Sequence, residues 1–174
     1  MLCSSNSSPT QASEPWCAEL TIRDARPDEA ARVYAITRSA FLEYAADVPP
    51  PSALFETEAE VVKELAASSH HALLAERDGK ALGCVRYELD RRGLHFFRLA
   101  VLPSARRQGV AKALLARLEI VAQTHEKSRL WCHVRPKVSR NVALYESVGY
   151  ALNGEDVMVR NGFVIPVGVM EKWI

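Results

Sequence analysis

One stretch limits the architecture more than any other, "RLAVLPSARRQGVAKALL" from Arg98 to Leu115. An apolar strand pattern stops at Pro103, two arginines and a glycine follow, and a helical pattern begins. A strand that enters a helix through such a loop leaves the first-turn N–H groups unpaired, and the helix dipole adds partial positive charge there. Gly109 has no Cβ, so a ligand can come close to the backbone, while Arg106 and Arg107 add full charges. This geometry suits a diphosphate. Neither the P-loop pattern nor the dinucleotide pattern G-x-G-x-x-G is present, which excludes those two phosphate sites. Read locally, Arg106 and Arg107 are also compatible with a solvated basic corner ahead of an ordinary helix.

The rest of the chain forms one framework around that passage. Its 174 residues suit a single domain with a real core, and 48% apolar with 25% charged residues is ordinary for a globular protein. A net charge of +1 gives no bulk attraction to nucleic acid or to an anionic membrane, so neither is an expected partner. No apolar run approaches the ~18–20 residues of a membrane span, and the opening "MLCSSNSSPTQASEP" lacks a secretory signal's basic and apolar regions. Cys3, Cys17, Cys84 and Cys132 contain no Cys-x-x-Cys pair. They read as free thiols of a cytoplasmic protein, with Cys84 and Cys132 as small core residues. No His, Cys or carboxylate spacing points to a metal.

Residues 1–18, rich in Ser, Pro, Thr and Gln, read as a disordered tail, and 19–174 as the folded domain. "AELTIRDA" is a first strand and residues 29–46 a helix with Ala30, Val33, Ile36 and Ala40 on one side. Three prolines in "DVPPPSALFE" enforce a loop, and Thr57 with Glu60 forms a capping box ahead of a second helix. Three strands follow as an antiparallel meander, the first two joined at Asp78-Gly79. A helix over 107–125, a strand at "RLWCHVRP", a short helix ending at Gly149, and two strands about Asn161-Gly162 complete the order βααβββαβαββ. The fold class is α/β (α+β), a mixed central sheet of about seven strands flanked by about four helices.

Arg106-Arg107-Gln108-Gly109-Val110-Ala111 resembles the Gln/Arg-x-x-Gly-x-Gly/Ala motif of the GNAT acetyltransferases. "RLAVLP" resembles that family's fourth strand, "VRPKVSRNVALYESVGY" its second signature, and "VMEKWI" its closing strand. The resemblance spans about 20–174 and agrees with the element order. It implies a GNAT fold, acetyl-coenzyme A as cosubstrate, and transfer of the acetyl group to a primary amine of a small molecule or peptide. Homodimers are frequent in the family. It further implies that Leu99, Ala100 and Val101 offer backbone groups to the pantetheine arm. Gln108, Gly109, Val110, Ala111 and Lys112 would hold the diphosphate, with Arg106 and Arg107 beside it. The family often carries Asn seven residues before the motif Tyr; here that position is Val138, and Asn141, one turn before Tyr145, is the substitute.

For the reaction, Tyr145 is the expected acid for the leaving thiolate and His133 the expected base, in a position where relatives carry Glu. His95 and Glu88 are weaker candidates, and His70 and His71 read as strand-entry residues. The loop after the first helix is expected to shape the acceptor pocket, with Phe41 and Tyr44 holding an apolar stem and Glu43, Asp47 or Glu56 drawing a cationic amine. Alternatives stay open at each position: Tyr145 as a packing residue, His133 as a hydrogen-bonded strand histidine, the loop acids as a solvated surface. The competing reading of the whole is a coenzyme A-binding regulatory or interaction domain without turnover.

Overall fold

The computed structural model describes residues 19–47, 49–67, 69–135, 138–160 and 162–174. The expected N-terminal tail, Cys3, Cys17 and Asn161 of the last turn lie outside these residues. The chain runs through β1 (Thr21–Asp24), α1 (Ala30–Phe41), α2 (Glu58–Ala66), β2 (His70–Arg77), β3 (Lys80–Asp90), β4 (Gly93–Val101), α3 (Val110–Thr124), β5 (Arg129–Val134), α4 (Ser139–Glu146), β6 (Ala151–Arg160) and β7 (Phe163–Trp173).

Local chemistry accounts for most boundaries. α1 buries Ala30, Val33, Ile36, Thr37 and Ala40, the i, i+3, i+4 and i+7 face of a helix. It is shorter than the 29–46 expected, because the chain tightens into a 3-10 turn at Leu42–Tyr44. The Thr57 hydroxyl accepts from the Glu60 N–H and the Glu60 carboxylate from the Thr57 N–H, which closes the expected box on α2. α3 starts at Val110 and not at 107. Arg107 and Gly109 sit at φ 59° and 80°, and left-handed residues cannot continue a right-handed helix.

The seven strands form one sheet in the order β1-β2-β3-β4-β5-β7-β6. Every pair is antiparallel except β4 with β5. That parallel pair is registered only at Leu94–Leu130 and His95–Trp131, and beyond it the strands diverge. Two features hold this geometry. At the closed end Gly93 lies so near β5 that a Cβ would stand 2.2 Å from the Arg129 carbonyl oxygen, so only glycine lets the strands meet. Toward the open end β4 carries one extra residue opposite Val85, with Arg98 at φ 55°, a bulge that bends the strand.

One face of the sheet packs on α3, its core including Leu73, Val85, Phe96, Leu114, Leu118, Leu130 and Met170. On the other face α1 and α2 cover β2, β3 and β4, burying Val33, Ile36, Val61, Leu74, Cys84 and Ala100. Cys84 and Cys132 are buried free thiols. Past β4 that second face is open, and it becomes the floor of a cavity. Among the described residues no helix is long and apolar enough to cross a membrane.

Candidate active site

The divergence of β4 from β5 opens a gap in the sheet with one cavity on each side. The first, about 870 Å³, lies between the exposed edge of β4 at Leu99, Ala100 and Val101, the start of α3, and α4. Among the described residues no strand lies across from that edge between Phe97 and Val101. At the α3 mouth the first intrahelical bond runs from the Ala113 N–H to the Gly109 carbonyl, so the N–H groups of Val110, Ala111 and Lys112 have no helical acceptor. Among the described residues a Cβ on Gly109 would meet nothing within 4 Å, so the space before the mouth is open to a ligand.

Of the eleven residues expected at the cofactor, ten line this cavity: Leu99, Ala100, Val101, Arg106, Arg107, Gly109, Val110, Ala111, Lys112 and Asn141. Gln108 does not. Its side chain accepts from Arg77 at 2.8 Å and donates to the Ser104 carbonyl at 3.0 Å, which braces the loop from behind. Arg106 is held by Glu43 at 2.7 Å and by the Ala40 carbonyl at 3.3 Å.

The second cavity, about 520 Å³, is walled by the α1–α2 connection at Asp47, Pro51, Ser52 and Glu56, and floored by the open face of β3, β4 and β5. Phe41, Tyr44, Leu99, Asn141 and Tyr145 line both cavities and mark where they join. Val138 lines the second. Of the residues expected at the acceptor, Phe41, Tyr44, Asp47 and Glu56 reach this cavity and Glu43 does not. Glu43 faces the first cavity, where Arg106 and Arg140 both donate to it. Burial opposes its ionisation, but these arginines outweigh burial and hold its carboxyl below the usual range. Arg140 also donates to the Tyr44 hydroxyl, so it links α4 to the α1–α2 connection.

Tyr145 sits at the join. It is buried edge-on to Phe96, with ring centroids 5.8 Å apart. Burial first, then Cys132, raises its phenol well above the ordinary value, so the proton stays on through the physiological range. His133 lines the second cavity with Nε2 3.4 Å from Asp156 Oδ2.

Beside His133 stands a group whose members are far apart in the sequence. His95 Nδ1 is 2.8 Å from Glu88 Oε1, and the other Glu88 oxygen is 3.4 Å from His70 Nε2. The His95 ring stacks on Trp131 at 4.0 Å and 17° and lies 5.8 Å from the His133 ring. Burial lowers the His95 pKa, and Glu88 opposes that shift. His71 points to the opposite face and stacks on Tyr87. Three arginines then fix the cavity walls. Arg135 donates to the Pro49 and Pro50 carbonyls at 2.8 and 3.3 Å, tying the proline segment to β5. Arg98 donates to Ser52 at 3.1 Å, and Arg86, fully buried, bridges Glu56 and Glu64 at 2.7 and 2.9 Å. Among the described residues no group of three or more His, Cys, Asp or Glu side chains is arranged to hold a metal ion.

Comparison with known proteins bears on the fold. The Acetyltransferase (GNAT) family model matches residues 30–150. A GNAT-family acetyltransferase of Streptococcus pneumoniae superposes with a TM-score of 0.68 at 26% identity, covering 90% of this chain and all of the other. PaiA N-acetyltransferase of Thermoplasma acidophilum, in complex with coenzyme A, gives 0.75 at 14% identity over 90% and 99% of the two chains. YncA of Salmonella typhimurium, a putative acetyltransferase with its cofactor acetyl-CoA, gives 0.71 at 19% identity over 89% and 94%. No curated protein sequence matches significantly. The family model spans well over half of the sequence: the chain belongs to the GNAT acetyltransferase family.

Proposed function

We propose that the protein is an acetyl-coenzyme A-dependent N-acetyltransferase, acting on a primary amine of a small molecule or peptide by direct attack on the thioester. The observation that carries this reading is the meeting of two cavities at a gap in the sheet, with Tyr145 on the boundary. The first cavity fits the carrier. Open space before Gly109 and the unpaired N–H groups of Val110 to Lys112 suit a diphosphate. The unpartnered edge of Leu99 to Val101 suits the amide-bearing arm, which would complete the strand. When bound there, acetyl-coenzyme A supplies the thioester as electrophile.

The chain's own groups then have three tasks. An acceptor amine must lose its proton, which at pH 7.4 costs about 4 kcal/mol for a lysine-like pKa of ~10.4. Of the three imidazoles that line the second cavity, His70, His95 and His133, the latter two serve as the bases. A backbone N–H between Leu99 and Val101 supports the oxygen as it gains charge. Tyr145 holds its proton firmly and donates a hydrogen bond to the departing sulfur.

The test is calorimetry with acetyl-coenzyme A, followed by a thiol-release assay over a panel of primary amines with mass detection of products. Heat on titration and acetylation of at least one amine are expected. Binding without turnover on any amine would recast the protein as a silent coenzyme A-binding domain, and no heat at all would end the reading.

A further inference from the structure

Strand register builds a row of side chains across the cavity floor. His70 on β2 is the partner of Glu88 on β3, Glu88 is the partner of His95 on β4, and His95 is the partner of Trp131 on β5. Register partners share a face, so the four side chains stand in line. Glu88 is engaged on both oxygens, by His95 Nδ1 at 2.8 Å and by His70 Nε2 at 3.4 Å. A carboxylate against Nδ1 keeps the ring proton there and leaves Nε2 with its lone pair. The ring has little freedom, since it lies flat on Trp131 and the side chain is 16% exposed. His133 is less constrained: its acid partner Asp156 is 3.4 Å away and 58% exposed.

We propose that His95 is the base that takes the proton of the acceptor amine, and that Glu88, itself steadied by His70, is its positioning residue. This rests on the acetyl-transfer reading above. As the amine nitrogen bonds to the acetyl carbon and the carbon–sulfur bond breaks, the nitrogen's proton goes to His95 Nε2. The imidazolium is stabilised by Glu88, and the sulfur leaves with the electron pair of its bond, accepting a hydrogen bond from Tyr145. The charged groups around His95 are Glu88 from β3, His133 from β5 and Arg92 from the β3–β4 turn, with His70 from β2 on the far side of Glu88. Burial bears most on the ring and disfavours its charged form, and Glu88, the one acid among these groups, opposes it.

The experiment uses the whole chain and the variants His95→Gln, Glu88→Gln and His133→Gln. Imidazole NMR of the unliganded protein is expected to show His95 as the Nδ1–H tautomer, and Glu88→Gln to erase that preference and lower the titration midpoint. With an acceptor amine identified, His95→Gln is expected to cut kcat by about 100-fold or more and abolish the acidic limb of its pH profile. Glu88→Gln should cut kcat by about 10-fold and move that limb to lower pH. In both variants the KM for acetyl-coenzyme A should be retained, and His133→Gln should keep the limb. The limb surviving in His95→Gln, its loss in His133→Gln instead, or a His95 tautomer indifferent to Glu88→Gln overturns the assignment. Wild-type protein inert toward every amine would refute acetyl transfer separately, and the tautomer measurement would still decide the dyad.

Discussion

Tyr145 and Gly109 carry the sharpest consequences of single atoms. Removing the Tyr145 hydroxyl leaves the ring packed against Phe96 and Tyr150 and deletes only the proton donor. Tyr145→Phe is therefore expected to lower kcat by about 10- to 100-fold, while calorimetry finds acetyl-coenzyme A binding nearly unchanged. At Gly109 a Cβ has room, but φ is 80°. Gly109→Ala should cost about 1 kcal/mol in denaturant unfolding and keep most of the binding. Gly109→Glu sets a negative charge before the helix mouth and should abolish binding heat. Retained affinity in that variant would show that the diphosphate lies elsewhere.

Elements are held around the site by buried charge. Arg86, with no exposed surface, pins α2 through Glu64 and the segment before it through Glu56. Deleting one side of such a network strands the other. Arg86→Met is expected to destabilise the fold by about 3–5 kcal/mol in chemical denaturation at pH 8. Burial already raises the Glu64 carboxyl above its ordinary value against the pull of Arg86, and loss of Arg86 raises it further. A carboxyl with a raised folded-state pKa favours the folded protein when protonated, so the deficit should shrink as the pH falls from 8 to 5. A deficit independent of pH would show that packing, not charge, sets the cost. The Arg135 clamp on Pro49 and Pro50 does similar work for the cavity rim, where the prolines have already limited the chain's freedom.

The whole molecule combines a continuous sheet with an incomplete cover. α1 and α2 reach only β4, so the floor beyond it stays open, while the gap between β4 and β5 joins that floor to the α3 mouth. At the far edge Glu29 ties β1 to the start of α1, accepting from Arg23 with both oxygens at 2.7 Å and from the Arg26 N–H. Arg23 above all holds its carboxyl down at about 2. A depressed carboxyl stabilises the fold fully above its unfolded value, and the benefit fades as pH falls toward the folded one. The melting temperature should thus fall on acidification from about pH 4.5 to 2, and Glu29→Gln should lower it at neutral pH and weaken that acid limb. A variant with an unchanged acid limb would move the acid sensitivity to other carboxylates.

The order of elements, the capping box on α2, the Asp78-Gly79 turn and the strand-to-helix passage at Gly109 were written in the chain itself, because each depends on residues within a turn or two. The residue pattern permits α3 to start at 107, three residues before Val110 where it begins, because the left-handed backbone of Arg107 leaves no mark in side-chain periodicity. The site's charges could not be read this way. Glu43 meets Arg106 and Arg140 across 63 and 97 residues, which turned it from the acceptor side to the other cavity. His70, Glu88 and His95 became neighbours only through register, since a slip of one residue would send each to the opposite face. Local propensity chose the elements; long-range strand pairing and desolvated ion pairs decided which side chains meet.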